Sequence, residues 1–341
     1  MKEVMPQETK QQRLPESQEL TALNIPHLKR FWHKHQLNKQ GRIDQELIQQ
    51  EWELDLILIN ELNLGLEPAL ACLYQCSKLT EFEDFVLTKN NDQVPDQAVK
   101  AINQALRHSP AQYDPQEITN VLSEEQMAFW NEQGYIIIPS VLNQQECDTL
   151  LEEINRFLNF SLQVPDTWYL PHESKQQIMV QFFDSPIQKK IRKKEVIRKA
   201  FAQLWQTNQL TVSTDRVSIN PPETELWKFP GPDIHWDLDH FNPPIPFRTQ
   251  GLIYLTDTAE NQGAFSCAPG FHHKIDNWLR SLPDNTNPQE QDWSKFNIKP
   301  IAAKAGDLII WHHALPHGSS PNRAHSPRVV QYINMYPLHK E

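Results

Sequence analysis

Glycine is scarce in this 341-residue chain, nine residues against twenty-six prolines, an imbalance that predicts many rigid loops. Cysteine is scarcer still. The four thiols, Cys72, Cys76, Cys147 and Cys267, are too few and too scattered for a disulfide framework, so the expectation is a reducing, cytoplasmic compartment. No apolar run approaches the ~18 residues of a membrane span, and the first twenty residues hold none of signal-peptide length, so no membrane association is expected. Positive charge is in deficit, 32 Lys and Arg against 43 Asp and Glu. The resulting net charge of -11 would repel a phosphate backbone, which counts against nucleic-acid binding and favours a small-molecule substrate. What is present, 39% hydrophobic residues with ten Trp and fifteen Phe, describes a globular chain long enough for one large domain or two smaller ones.

Residues 1–20 are rich in Gln and Glu without periodicity and read as a disordered tail. Apolar residues then recur at helical intervals in Leu47, Ile48, Trp52, Leu56 and Ile59, from Ala69 to Leu79, and in Val99, Ile102 and Leu106. Residues 21–115 are therefore expected to be an all-helical extension of unknown role, closed by the proline-containing segment His108–Pro115. A second unit, 116–341, opens with a capping box from Ser123 to Gln126, a helix ended by Gly134, and the strand Tyr135–Pro139. Asn143 and Glu146 head another helix that places Cys147, Leu150, Leu151, Ile154 and Leu158 on one face, and a further helix is expected near 185–206. Beyond it, short alternating segments at 211–220, 251–257, 306–313 and 328–336 suggest a sandwich or barrel.

The chemistry is concentrated in His235-Trp236-Asp237. If this stretch is extended, its two-residue period turns His235 and Asp237 to one face and Trp236 to the other. Imidazole and carboxylate can then share a metal, as in the two-histidine, one-carboxylate set of non-haem iron(II) oxygenases, which leaves positions open for reactants. The third ligand must come from His312, His313 or His317, and spacing alone leaves that choice open. Arg328 opens an alternating stretch, and a rigid guanidinium matches a carboxylate with two parallel hydrogen bonds. Arg216, Ser218 and Asn220 alternate on a further strand.

Met127–Pro139, Pro221-Pro222, His235–Phe241, Leu255–Thr258, Gly263-Ala264-Phe265, Pro269–His272, and His317–Asn322 with Arg328 together resemble the phytanoyl-CoA dioxygenase family, in its order, over about residues 122–338. The resemblance selects His317 as third ligand beside His235 and Asp237. It implies iron(II) as metal, 2-oxoglutarate as cosubstrate and dioxygen as oxidant, with Arg328, Ser319 and Asn220 holding the cosubstrate. The implied fold is α+β with a mainly β core, a double-stranded β-helix of the jelly-roll, cupin-like kind flanked by helices. The implied reaction hydroxylates an unactivated C–H with release of succinate and carbon dioxide. Related halogenases carry Gly or Ala where Asp237 stands, which favours hydroxylation. Asn220 stands where lysine is frequent in the family, and Phe271 replaces a frequent serine.

Other readings use the same residues. His235, Asp237, Asp239 and His240 approach the signature of two-metal hydrolases but lack its second histidine. A non-catalytic, cupin-like scaffold with a helical interaction module is a third reading, which intact ligands oppose. The basic run 189–199 could meet an anionic substrate, although Val196, Ile197, Phe201, Leu204 and Trp205 make it the solvated face of a helix. His272 and His273 follow a Pro-Gly turn as loop residues. Cys72 and Cys76, one helical turn apart, read as core thiols.

Overall fold

The computed structural model of the chain describes residues 13–107, 118–183, 185–238 and 241–338. They form two compact units with separate cores, one of residues up to 107 with Leu338 and the other of residues 118–337.

The first unit consists of α1 (Leu28–Lys39), α2 (Gln45–Glu61), α3 (Leu66–Gln75), α4 (Leu79–Lys89) and α5 (Asp96–Leu106). Phe31, Leu58, Ile59, Leu62, Phe82, Val86 and Ile102 fill its centre. The expected helical run from Ala69 to Leu79 is interrupted: Cys76 is extended, and Glu81 accepts the main-chain N–H groups of Ser77 and Lys78 to start a new helix. The periodicity hides α1 because its buried face carries a charge. The fully buried Lys34 ammonium lies 2.8 Å from Glu51 and 2.8 Å from Asp55, and His27 Nε2 donates to Asp55 at 3.0 Å. Residues 13–20, expected as tail, are tied to this helix instead: Arg30 donates to Pro15 O at 2.8 Å and the His27 N–H to Ser17 O at 2.6 Å. Residues 1–12 and all of His108–Pro115 lie outside the described residues. Among the described residues no single helix is long and apolar enough to cross a membrane, and the α2–α3 pair, which together has that length and composition, is bent by 99°.

The second unit begins with α6 (Glu124–Gln133), β1 (Tyr135–Ile138) and α7 (Gln144–Leu158). Both expected capping boxes are present, and the five expected α7 residues are its buried ones. Gly134 ends α6 with φ 75°, and a Cβ there would stand 2.5 Å from His272 Nδ1, so both conformation and space require glycine. The hairpin β2 (Lys175–Gln176) and β3 (Met179–Val180) follows. The helix expected near 185–206 is two, α8 (Pro186–Arg192) and α9 (Glu195–Trp205). Lys194 leaves helical geometry between them and reaches Glu146 at 2.5 Å. Arg192 is buried against the carbonyls of Phe183 and Asp215, so the basic run is partly structural and not wholly a solvated face.

The remaining strands are β4 (Leu210–Val212), β5 (Val217–Asn220), β6 (Thr249–Tyr254), β7 (Phe265–Cys267), β8 (Lys299–Pro300), β9 (Leu308–His312), β10 (His317–Ser319), β11 (Arg328–Tyr332) and β12 (Met335–Pro337). Helix α10 (Ile275–Ser281) lies between β7 and β8. All pairings are antiparallel, in a seven-stranded sheet ordered β1-β9-β6-β11-β5-β3-β2, a three-stranded sheet β10-β7-β8 and a pair β12-β4. The expected segments 211–220 and 328–336 each divide because their strands change partners, β4 and β12 leaving the large sheet to pair together. One face of that sheet packs on the helices through Ile136, Ile310, Ile253, Val329 and Ile219. The other contributes Leu252, Tyr254, Ile309, Trp311 and Val330 to a core shared with Phe265 and Cys267 of the small sheet. Tyr254 ties the two sheets, its hydroxyl donating to Ile301 O and accepting the Phe265 N–H. The architecture is mixed helix and antiparallel sheet.

Candidate metal centre

His317 lies on β10, and the main chain of His235 docks beside it as an isolated antiparallel bridge. The two residues exchange N–H to O bonds of 2.8 and 2.9 Å. This approach requires Gly318, where a Cβ would stand 2.5 Å from Asp233 O. The segment is anchored from the opposite side by Trp236. Its indole is 2% exposed, donates to Ala314 O at 2.9 Å, and lies among Phe271, Trp278 and Trp293. Gln289 grips the Trp236 main chain at both its N–H and its carbonyl. Alternation does the rest, turning His235 and Asp237 away from the aromatic cluster.

One ligand atom from each of His235, Asp237 and His317 lies within 4.8 Å of the other two. His235 Nε2 is 3.4 Å from Asp237 Oδ1, and His317 Nε2 is 3.4 Å from Asp237 Oδ2. Each imidazole donates Nδ1–H to a carbonyl, His235 to Asp233 O at 2.7 Å and His317 to Leu315 O at 3.0 Å. A carbonyl can only accept, so both Nε2 atoms are left unprotonated, turned toward the carboxylate and free to bind a metal. Burial disfavours the charged forms, yet the pairing outweighs it. The His235 imidazolium is stabilised by Asp237, and the Asp237 carboxyl is held well below the usual carboxylate range by the two imidazoles. Three converging ligands with half of the Asp237 side chain exposed form an open site, not a closed structural one.

Arg328 at the start of β11 is fully buried and faces Asn220 of β5 in register. Its Nη2 donates to Ser218 Oγ at 3.0 Å, while Nε and Nη1 have no hydrogen-bond partner. The Asn220 amide donates to Ser320 O at 2.9 Å and its buried Oδ1 is unpartnered. Ser319 is buried two residues beyond His317, on the same face of β10. A buried guanidinium lacking acceptors is costly unless an anion completes it, so a carboxylate fits beside Arg328.

The neighbouring histidines have other tasks. His313 Nε2 donates to Pro246 O at 2.6 Å, and His312 packs on Trp130 and Phe247. Burial, reinforced by neighbouring histidines, pushes His312 down to about 3; burial likewise pushes His313 to about 4 and His272 to about 4. His272 and His273 sit in a 3-10 turn and both face Asn131 O. Asp239 and His240 lie outside the described residues. His27, Glu51 and Asp55 form a second group at metal-binding distances, but Lys34 already bridges its two acids. Sequence reasoning missed Ser218 as the anchor of Arg328, Gln289, and Gln250, whose amide donates to Asp237 Oδ2 at 2.6 Å. Ser218 had a readable signal in the alternating row with Arg216 and Asn220, and Gln250 in the row that also holds Leu252 and Tyr254; Gln289 had none.

The chain is an iron(II)- and 2-oxoglutarate-dependent dioxygenase, as its family match and relatives show, and the group of His235, Asp237 and His317 could hold the metal. The chain belongs to the phytanoyl-CoA dioxygenase family, whose family model matches residues 130–330. A provisionally named phytanoyl-CoA dioxygenase of Dictyostelium discoideum is 23% identical over 260 residues, 61% of this chain and 74% of that protein. The peroxisomal phytanoyl-CoA dioxygenase of Bos taurus is 25% identical, covering 63% of this chain and 68% of its own. Among solved structures, HygX from Streptomyces hygroscopicus with nickel and 2-oxoglutarate bound superposes with TM-score 0.47 at 16% identity, over 63% of this chain and 87% of that one.

Proposed function

We propose that this dioxygenase hydroxylates an unactivated C–H bond of a small-molecule metabolite, with succinate and carbon dioxide as the other products. His235, Asp237 and His317 would hold iron(II), and Arg328, assisted by Ser319 and Asn220, would hold the distal carboxylate of 2-oxoglutarate. The observation that carries this reading is the buried Arg328 guanidinium with Nε and Nη1 unpaired. When bound, iron and 2-oxoglutarate supply the oxidising power. The chain contributes the oriented Nε2 atoms, a fixed carboxylate, and a pocket for the cosubstrate. Asp237 fills the ligand position that a halide would need, which supports hydroxylation over halogenation. The two-metal hydrolase reading is not favoured, because His317 completes the set around His235 and Asp237.

We infer that the sheets make a double-stranded β-helix, supported by antiparallel strands divided between two sheets that share the core of Tyr254, Phe265, Trp311 and Val330. A cytoplasmic setting is proposed on cysteine count alone. The test of function is succinate release on addition of iron(II) and 2-oxoglutarate, followed by a screen of metabolites for stimulation. Failure of the protein to bind both iron(II) and 2-oxoglutarate overturns the proposal.

A further inference from the structure

The Asp237 side chain is 53% exposed, and an exposed carboxylate rotates unless something holds it. The holder comes from β6. The indole nitrogen of Trp311 can only donate a hydrogen bond, and it stands 3.0 Å from Gln250 Oε1. That contact leaves the Gln250 carboxamide one orientation, with its NH2 facing Asp237 Oδ2 at 2.6 Å. Trp311 is itself buried, 2% exposed, with its ring 4.4 Å from that of Phe265 and 5.2 Å from that of His317. Gln250 and Trp311 are direct partners across the β6–β9 ladder, so the sheet sets their spacing.

We propose that Gln250 is the positioning residue of the metal centre. Oriented by Trp311, it engages one oxygen of Asp237 and leaves the other for the metal. This inference rests on the reading of His235, Asp237 and His317 as metal ligands. Ligation through one oxygen keeps a coordination position open that two-oxygen chelation would fill, and a carboxylate held before the metal arrives loses less conformational freedom on binding. The relay also joins two ligands mechanically, since the Trp311 ring packs on His317 while its N–H acts through Gln250 on Asp237.

The test is anaerobic titration of the metal-free protein with cobalt(II), followed by the visible absorption of the bound ion, for wild type, Gln250→Leu, Trp311→Phe and the double variant. Gln250→Leu is expected to weaken cobalt binding roughly 10–100-fold and alter the absorption spectrum, while the thermal midpoint of the metal-free protein stays within about two degrees. Trp311→Phe, which keeps an aromatic ring but frees the amide, is expected to share that loss, and the double variant to be no worse than Gln250→Leu. Wild-type affinity and spectrum in Gln250→Leu would overturn the relay, as would a double variant whose loss is the product of the single ones. If the wild-type protein binds no cobalt(II) or iron(II), the metal centre itself is wrong, a failure distinct from that of Gln250 alone.

Discussion

Arg328 illustrates how a side chain acquires a task from what surrounds it. Ser218 satisfies one of its nitrogens, and the burial of the others creates a demand for an anion. Replacing Arg328 with Ala is expected to weaken 2-oxoglutarate binding by about 1.5 kcal/mol or more, roughly tenfold, in calorimetric titration. Lysine at that position should recover only part of the loss, since an ammonium cannot make the paired contact. Replacing His317 or Asp237 with Ala should abolish succinate release while circular dichroism stays close to wild type. Gly318→Ala would drive a methyl group against Asp233 O and displace His235, so reduced metal affinity is expected from a change that touches no ligand atom. His235, Asp237 and Arg328 stood out as candidates because metal and carboxylate chemistry restrict the residue types allowed, and the family resemblance added His317, which the fold brings beside the first two. Ser218, Gln289 and Gln250 are ordinary polar residues whose partners are distant in sequence, and only the fold reveals those partners.

Strand β9 joins core to site: Ile309 and Trp311 face the shared core, Leu308 and Ile310 the helices, and His312 ends the strand against Trp130. It was legible because burial on both faces leaves a continuous apolar run. The strands β2, β3, β7, β8 and β10 were not, since two or three residues carry no periodicity. At the end of β9, His312 and His313 are kept neutral, lowered to about 3 and about 4 mainly by burial. An unfolded histidine takes up a proton near pH 6.5, so between that pH and the folded values the unfolded chain binds more protons. Stability contributed by the neutral rings is therefore complete above about pH 6.5 and lost progressively as pH falls toward 4. Urea midpoints of the metal-free protein should decline over that window, and less steeply in His312→Phe. An equal slope in that variant would show that the acid sensitivity lies elsewhere.

The two units keep their own cores, so two calorimetric transitions are expected, of which cobalt(II) and 2-oxoglutarate should raise only one. A shift of both would show that the units unfold together. The helical unit was legible as helical and not in its purpose, because its most conspicuous feature, the buried Lys34 between Glu51 and Asp55, serves packing within that unit. The reciprocal main-chain bond between His235 and His317 has a consequence for the protein in its cell. A cradle whose two imidazole bearers are laced together by backbone cannot reshape itself to reject a rival ion. By intrinsic preference nickel, copper and zinc all outrank ferrous iron on such donors. Selection of the working ion therefore falls to the supply around the enzyme, and a preparation from zinc-rich or copper-rich medium should emerge loaded, folded and inert until it is stripped and recharged with iron.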